Sequence, residues 1–265
     1  MIKSGFYDIK KKMEEVTNII NHFCQSRGLE SSHFKLKWYN ASLNNEKFRI
    51  ECFSEDSLAF VIISQPSMFE KTFLPYVSET WSSLNKIVMD PLDQCMKKVF
   101  NDLKTLVQEI DPEVQCFHDF EIGPNRRPKI LVQTAGHVSG AVRFYQENDA
   151  NPGLLDRKTE QTKMYPVCLH PKFGGWFALR GVFIFPSIQV KHLTMKIPPE
   201  ILKKSDQVSE LLNLYNHHWR DSRFRDCSDN VEETYSSEQQ AYFALEPGSQ
   251  RNSYLAQLLN LTLKV

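Results

Sequence analysis

The sequence carries no surplus charge of either sign: Lys and Arg number 32, Asp and Glu number 32, and the formal net charge is zero. This argues against a strongly basic nucleic-acid binder and a polybasic membrane binder. Long apolar runs are also missing. No stretch reaches the roughly 18 residues needed to cross a bilayer, and the longest candidate, Trp176 to Phe185, is interrupted by Arg180. The six cysteines (Cys24, Cys52, Cys95, Cys116, Cys168, Cys227) form no CxxC pair and no even framework. They read as reduced thiols of an intracellular protein. Cys168 and His170 alone are too sparse for zinc, so no metal is expected on protein side chains. GxGxxG and P-loop patterns are absent, which removes support for a Rossmann unit. No Ser/His/Asp set or paired carboxylates stand out, so hydrolase chemistry has no residue support. The N-terminal MIKSGFYDIKKKMEEV is charged and amphipathic rather than an apolar signal segment, and a cytoplasmic protein is expected.

What is present is core. The 265 residues are 41% hydrophobic and 12% aromatic, enough for one large domain or a domain with a cap. Phe6, Ile9, Met13, Val16, Ile19, Ile20 and Phe23 recur at helical spacing before a stop at Gly28. Phe34, Leu36 and Trp38 alternate as in a strand, as do Phe48, Ile50 and Cys52. Leu58 to Ile63 reads as a strand covered on both faces. A helix over 68–84 should be kinked by Pro75, and Asp90-Pro91 caps another. Strands are predicted at 114–122 and 129–133 around a turn at Gly123-Pro124-Asn125, then a helix over 135–146 and a polar loop over 147–163. Strands at 165–169 and 176–185 follow, with helices at 205–219, 236–243 and 253–263. This order predicts an α+β sandwich with a helical C-terminal part.

Chemistry-bearing residues gather in the second half. Seven of the ten glycines lie between positions 123 and 181, as turns or as places where backbone approaches a ligand. Arg180, inside WFALRGVFIF, must either pair with a carboxylate on a neighbouring strand or point into a polar cavity. Its planar fork suits a carboxylate or phosphate. Arg220, Arg223 and Arg225 interleave with Trp219 and Phe224, and Asp221 and Asp226 can satisfy them locally. Arg251 is a lone cation. His137 in TAGHVSGAVRFYQ is more often a hydrogen-bonded structural histidine than a ligand. Phe144 and Tyr145 suit core packing better than a flat ligand, and Cys168 sits where a thiol is usually inert.

The segments 118–146 (HDFEIGPNRRPKILVQTAGHVSGAVRFYQ), 167–186 (VCLHPKFGGWFALRGVFIFP), 217–226 (HHWRDSRFRD) and 235–251 (YSSEQQAYFALEPGSQR) resemble the cobalamin C-type (CblC) family; 66–77 and 89–95 add weaker support. The resemblance implies a nitroreductase-like sheet-and-helix core over about 1–195 with a helical cap over about 196–265, together forming one cobalamin-processing domain. It implies a protein that binds cobalamin base-off and removes its upper axial ligand. Cyanocobalamin would be decyanated with electrons from reduced FMN or FAD, ultimately from NADPH. Alkylcobalamins would be dealkylated by glutathione, leaving cob(I)alamin and a thioether; cobalt carries the hard step and the protein supplies binding and orientation.

By the same resemblance, cobalamin contacts fall on Asp119, Ile130, Leu131, Val132, Gln133, His137, Phe144, Tyr145, Gln146, Cys168 and Leu179. Arg180, Arg225 and Arg251 match the arginines that receive glutathione's carboxylates. A cobalamin D-type trafficking protein and methionine synthase are implied partners, with a monomer or a ligand-dependent homodimer. Phe144 stands where members carry tyrosine, Ser222 where some have tryptophan, and Pro166 in place of a glycine. Two readings compete with the enzyme: a non-catalytic cobalamin carrier, and a flavin reductase with no corrinoid role.

Overall fold

The computed structural model describes residues 2–84, 90–123, 126–157, 159 and 163–260, with side chains from Asp8 to Trp81 in the first of these stretches. Phe6 of the predicted N-terminal face, Pro124 and Asn125 of the predicted turn, and 261–263 of the terminal helical pattern lie outside that description.

Helix α1 (Ile2–Gln25) runs as its periodicity predicts, burying Val16, Ile20, Phe23 and Cys24. Gly28 follows at φ +65°. Strand β1 (Leu29–Lys35) ends earlier than the alternation suggests, because 36–41 forms a short helix, α2 (Leu36–Ala41). Leu36, Tyr39 and Asn40 are its buried side, a spacing of three and four that competes with period two. The strand expected around Phe48–Cys52 is also replaced, by a 3-10 turn at Glu46–Phe48. Asn40 explains it: its amide accepts from Ile50 N (3.0 Å) and donates to Ile50 O (3.1 Å), taking the bonds a strand partner would use.

Strand β2 (Ser57–Ser64) is buried at every position. A π-turn over Phe69–Phe73 leads into α3 (Leu74–Leu84), so Pro75 is accommodated by a widened turn rather than a break. Asp90 caps α4 (Pro91–Val107), its carboxylate accepting from Leu92 N at 2.9 Å. Strand β3 is only Gln115–His118. The predicted strand at 129–133 and helix at 135–146 are both shifted: helix α5 spans Val132–Val138 and β4 spans Arg143–Tyr145. The helix stops at Gly140, whose φ of +77° turns the chain and whose position against Lys196 leaves no room for a Cβ. Strands β5 (Val167–Leu169) and β6 (Ala178–Gln189), then α6 (Ser205–His218), α7 (Ser237–Ala244) and α8 (Ser249–Leu258), complete the order.

The main sheet is four-stranded and antiparallel, in the order β1-β2-β6-β3; β4 and β5 form a separate pair. One face packs on α1, α3 and α4 through Phe60, Phe100, Phe183 and Phe185, and Tyr242, Leu255 and Ala256 of α7 and α8 join this core. The other face packs on α5 through Ala59, Val61, Ile63, Val182 and Ile184. A third cluster joins α6 to Tyr145 and β5. Helices on both sides of an antiparallel sheet make this an α+β chain. The sheet ends at Ser64 of β2, Ala178 of β6 and Asp119 just past β3, and a cavity opens at that end.

Candidate functional site: a cavity and three arginines at the sheet end

A cavity of about 470 Å³ opens on the α5 side of the sheet end. Asp119, Ile130, Leu131, Val132, Gln133, Cys168, Leu179 and Arg225 all line it. Residues 130–133 reach it because they enter α5, not because they form a strand. Gly175 also lines the cavity; a Cβ there would meet Arg225 Cα at 2.7 Å, so this glycine lets the two backbones touch. A second chamber of about 460 Å³, lined by Tyr165, Asn216 and Trp219, shares Tyr215, Phe224 and Arg225 with the first. Tyr215 and Phe224 meet edge to face at 5.0 Å and form the partition.

Six sequence-predicted residues do not line the cavity: Arg180, Arg251 and four of those expected to touch cobalamin. His137 accepts a hydrogen bond from Phe144 N at 3.4 Å through Nδ1. Phe144 pairs with Cys168 across β4 and β5, one position removed from the space. Tyr145 is buried, and its hydroxyl accepts from Ile201 N (3.1 Å) and Leu202 N (2.7 Å). Gln146 starts a 3-10 turn, its N–H donating to Asp149. Conversely, Tyr215 and Phe177 line the cavity and escape sequence reasoning. The one available signal for Tyr215 is its place after Leu211 and Leu212 on the buried side of α6.

The three arginines surround the sheet end. Arg180 is 8% exposed; its Nε donates to Ser64 Oγ at 2.9 Å, and its terminal nitrogens have no partner among the described residues. Arg225 Nη1 donates to Gly175 O, and the guanidinium lies 5.5 Å from Trp176 and 5.0 Å from Tyr235. Tyr235 contacts Phe243 at 5.8 Å, and Arg251 lies 5.6 Å from Phe243 on the far side. A pair of rings thus links Arg225 to Arg251. Arg251 also pairs with Asp90 at 3.3 Å and donates from Nε to Leu245 O at 3.1 Å.

Burial sets the electrostatics. Asp119 is held above the ordinary carboxylate range by burial, with Arg180 opposing, and its Oδ1 is enclosed without a hydrogen bond. Burial alone pushes the Cys168 thiol up. The one cysteine of the cavity is therefore not a thiolate at neutral pH, and a thiolate acting there must arrive with a ligand. His33 and His137 are held below the ordinary histidine range, chiefly by burial, then by Lys196 and Arg143 respectively. The unfolded chain then binds more protons than the native one just below about pH 6.5, so stability is lost as pH falls through that window. The melting temperature is expected to rise from about pH 5 to about pH 7. Replacing both histidines with glutamine should flatten that rise; an unaltered slope would clear them of the effect.

This arrangement has relatives. The profile of the Methylmalonic aciduria and homocystinuria type C family, MMACHC, matches residues 28–255. The chain is 43% identical over 220 residues to a Gallus gallus protein named cyanocobalamin reductase / alkylcobalamin dealkylase, covering 83% of this chain and 87% of that one. It is 35% identical over 240 residues to the Homo sapiens protein of the same name, covering 90% and 80%. The crystal structure of a B12-trafficking protein CblC from Caenorhabditis elegans superposes with a TM-score of 0.84 at 29% identity, covering 96% of this chain and 100% of that one. In sequence and in fold alike, this chain belongs to the MMACHC family.

Proposed function

We propose that this chain is a cyanocobalamin reductase and alkylcobalamin dealkylase that holds cobalamin at the sheet end and removes its upper axial ligand. The observation that carries the reading is Arg180: a guanidinium 8% exposed, next along β6 to Leu179 of the cavity wall, whose terminal nitrogens make no hydrogen bond or ion pair among the described residues and are open to a ligand carboxylate. Arg225 and Arg251 stand around the same strand end, and three forks suit a co-substrate with two carboxylates, such as glutathione. The macrocycle would rest on Ile130, Leu131, Val132 and Leu179, with Asp119 and Gln133 meeting its amides. The second chamber, behind Tyr215 and Phe224, gives the detached nucleotide tail separate room. His137, Phe144, Tyr145 and Gln146 would then support the wall rather than touch the ligand. The unit would combine a nitroreductase-like core with the α6–α8 cap.

In dealkylation the thiolate sulfur attacks the cobalt-bound carbon. The new S–C bond yields a thioether, and the Co–C electron pair stays on cobalt as cob(I)alamin. Because Cys168 remains a thiol, the protein's part is to aim the external thiolate and exclude water. For decyanation, a reduced flavin supplies the electron when bound and cyanide departs. Arg225 is the one cation lining the cavity among the described residues, so a flavin phosphate and a thiol carboxylate would share it.

Titration with methylcobalamin tests the reading. The expected result is a spectral shift to the base-off form, followed by cob(I)alamin when glutathione is added without oxygen. A shift without turnover would leave the carrier, and no shift would leave the flavin reductase.

A further inference from the structure

Arg225 owes its place in the cavity wall to the turn at 170–175, between β5 and β6. The turn closes on itself, His170 N donating to Gly174 O (2.7 Å) and Gly174 N to His170 O (3.0 Å). Its last residue holds Arg225 twice: Gly175 N donates to Arg225 O at 2.8 Å, and Arg225 Nη1 donates back to Gly175 O. Trp176 Nε1 donates to Asp226 Oδ1 at 2.6 Å, and Lys172 O accepts from Glu232 N at 2.7 Å. The segment 225–232 is thus seated on the turn, and the turn is tied down by His170. That side chain is buried. Its Nδ1 faces the Lys172 N–H at 3.1 Å and can only accept, so the ring proton sits on Nε2, 2.7 Å from Glu30 Oε1. Burial pushes the Glu30 carboxyl up, but its interactions with His170, Gln65 and Lys172 together hold it below the ordinary range, so an ionised oxygen accepts that bond. The imidazole stacks on Phe173 at 4.5 Å and meets Phe177 of the cavity wall at 5.5 Å. One ring therefore ties the turn beneath Arg225 to β1, the edge strand of the main sheet.

We propose that the Glu30–His170 pair is a positioning device for thiol-dependent dealkylation: it fixes the 170–175 turn and, through Gly175, aims the Arg225 guanidinium at a carboxylate of the co-substrate. This rests on the role given to Arg225 above and extends it to two residues that do not line the cavity. An oriented contact is lost steeply when its holder shifts by about 1 Å. The test compares glutathione with 2-mercaptoethanol, which offers Arg225 no carboxylate, in anaerobic dealkylation of methylcobalamin. His170→Ala is expected to raise KM for glutathione by about tenfold, with kcat and the rate with 2-mercaptoethanol each falling by less than about twofold. Glu30→Ala should reproduce the defect. Glu30→Gln, which keeps an oxygen for the His170 Nε2–H, should restore most of the loss. In an Arg225→Ala background the further loss from His170→Ala should vanish. Cobalamin titration checks that each variant has folded; where His170→Ala fails that check, Glu30→Ala decides on the same readouts. Equal loss with both thiols, or a fully additive loss in the Arg225→Ala background, makes the pair structural and overturns the proposal while the role of Arg225 stands. An Arg225→Ala protein that uses glutathione as the wild type does overturns that role as well.

Discussion

Arg180→Ala is expected to lower kcat/KM for glutathione in dealkylation by roughly 100-fold, the scale of removing one partner from a buried arginine–carboxylate pair. Half-saturation with methylcobalamin should change by less than about threefold, because Leu179 rather than Arg180 lines the cavity. The asymmetry follows from β6. Ile62 and Ile63 of β2 pair with Gly181 and Leu179, so the register skips Arg180 and the bulge breaks the alternation; Leu179 thereby joins Val182 and Ile184 in the α5-side core while Arg180 faces α4, near Cys95. Arg180→Lys should fail to restore the rate, since an ammonium cannot present the two parallel donors of a guanidinium. Thermal melting separates a binding role from a structural one. Removing an unpaired buried charge should leave the apoprotein at least as stable. A lower melting temperature with equal loss of thiol use and cobalamin binding would make Arg180 a structural residue.

Asp119→Leu should separate stability from function in the opposite sense. Its Oδ1 is enclosed and unpartnered, a situation that costs about 1–3 kcal/mol when no ligand satisfies it. The leucine variant is therefore expected to melt higher in the absence of cobalamin. Its affinity for cobalamin should fall by roughly tenfold or more, the worth of one hydrogen bond to a charged acceptor. The pH dependence has a definite sign. Burial raises the Asp119 carboxyl, so above the ordinary value of about 3.9 the native state binds a proton that the unfolded chain has released. Its contribution to apoprotein stability thus grows as pH falls through that window, and the variant should lack the component. A variant that melts lower and binds cobalamin as before would mean that Asp119 serves the fold alone.

Much of the core was legible because its signal is local. The continuous apolar run of 58–63 predicted β2, the spacing of 9–23 predicted α1, and Asp90-Pro91 marked the start of α4 to the residue. The failures have tertiary causes. Phe48–Cys52 alternates like a strand, yet Asn40 takes the backbone bonds of Ile50. Residues 135–146 keep helical spacing throughout, yet the chain turns at Gly140 because Lys196 packs against it and β5 offers a partner to 143–145. Phe144 and Tyr145 accordingly belong to a strand pair beside the cavity and not to a helix end facing it. Arg180 could be recognised from its uncharged neighbours, but Arg225 looked ordinary because Asp221 and Asp226 can satisfy it locally, and Arg251 because it stands as a lone cation in the sequence.

By itself, then, the amino-acid order determined which residues are buried, where most helices and strands begin, and the family to which the chain is akin, because hydrophobic period, capping chemistry and long matching segments are properties of neighbours along the chain. Only the tertiary structure decided that Arg180, Arg225 and Arg251 stand around one strand end and that Tyr215 divides two chambers. Those groups are separated by tens of residues, and their distances are set by how β6 pairs with β2 and β3 and how α4, α6 and α8 pack around its end. No local interaction energy encodes that meeting; it emerges when the two faces of the sheet are covered at once.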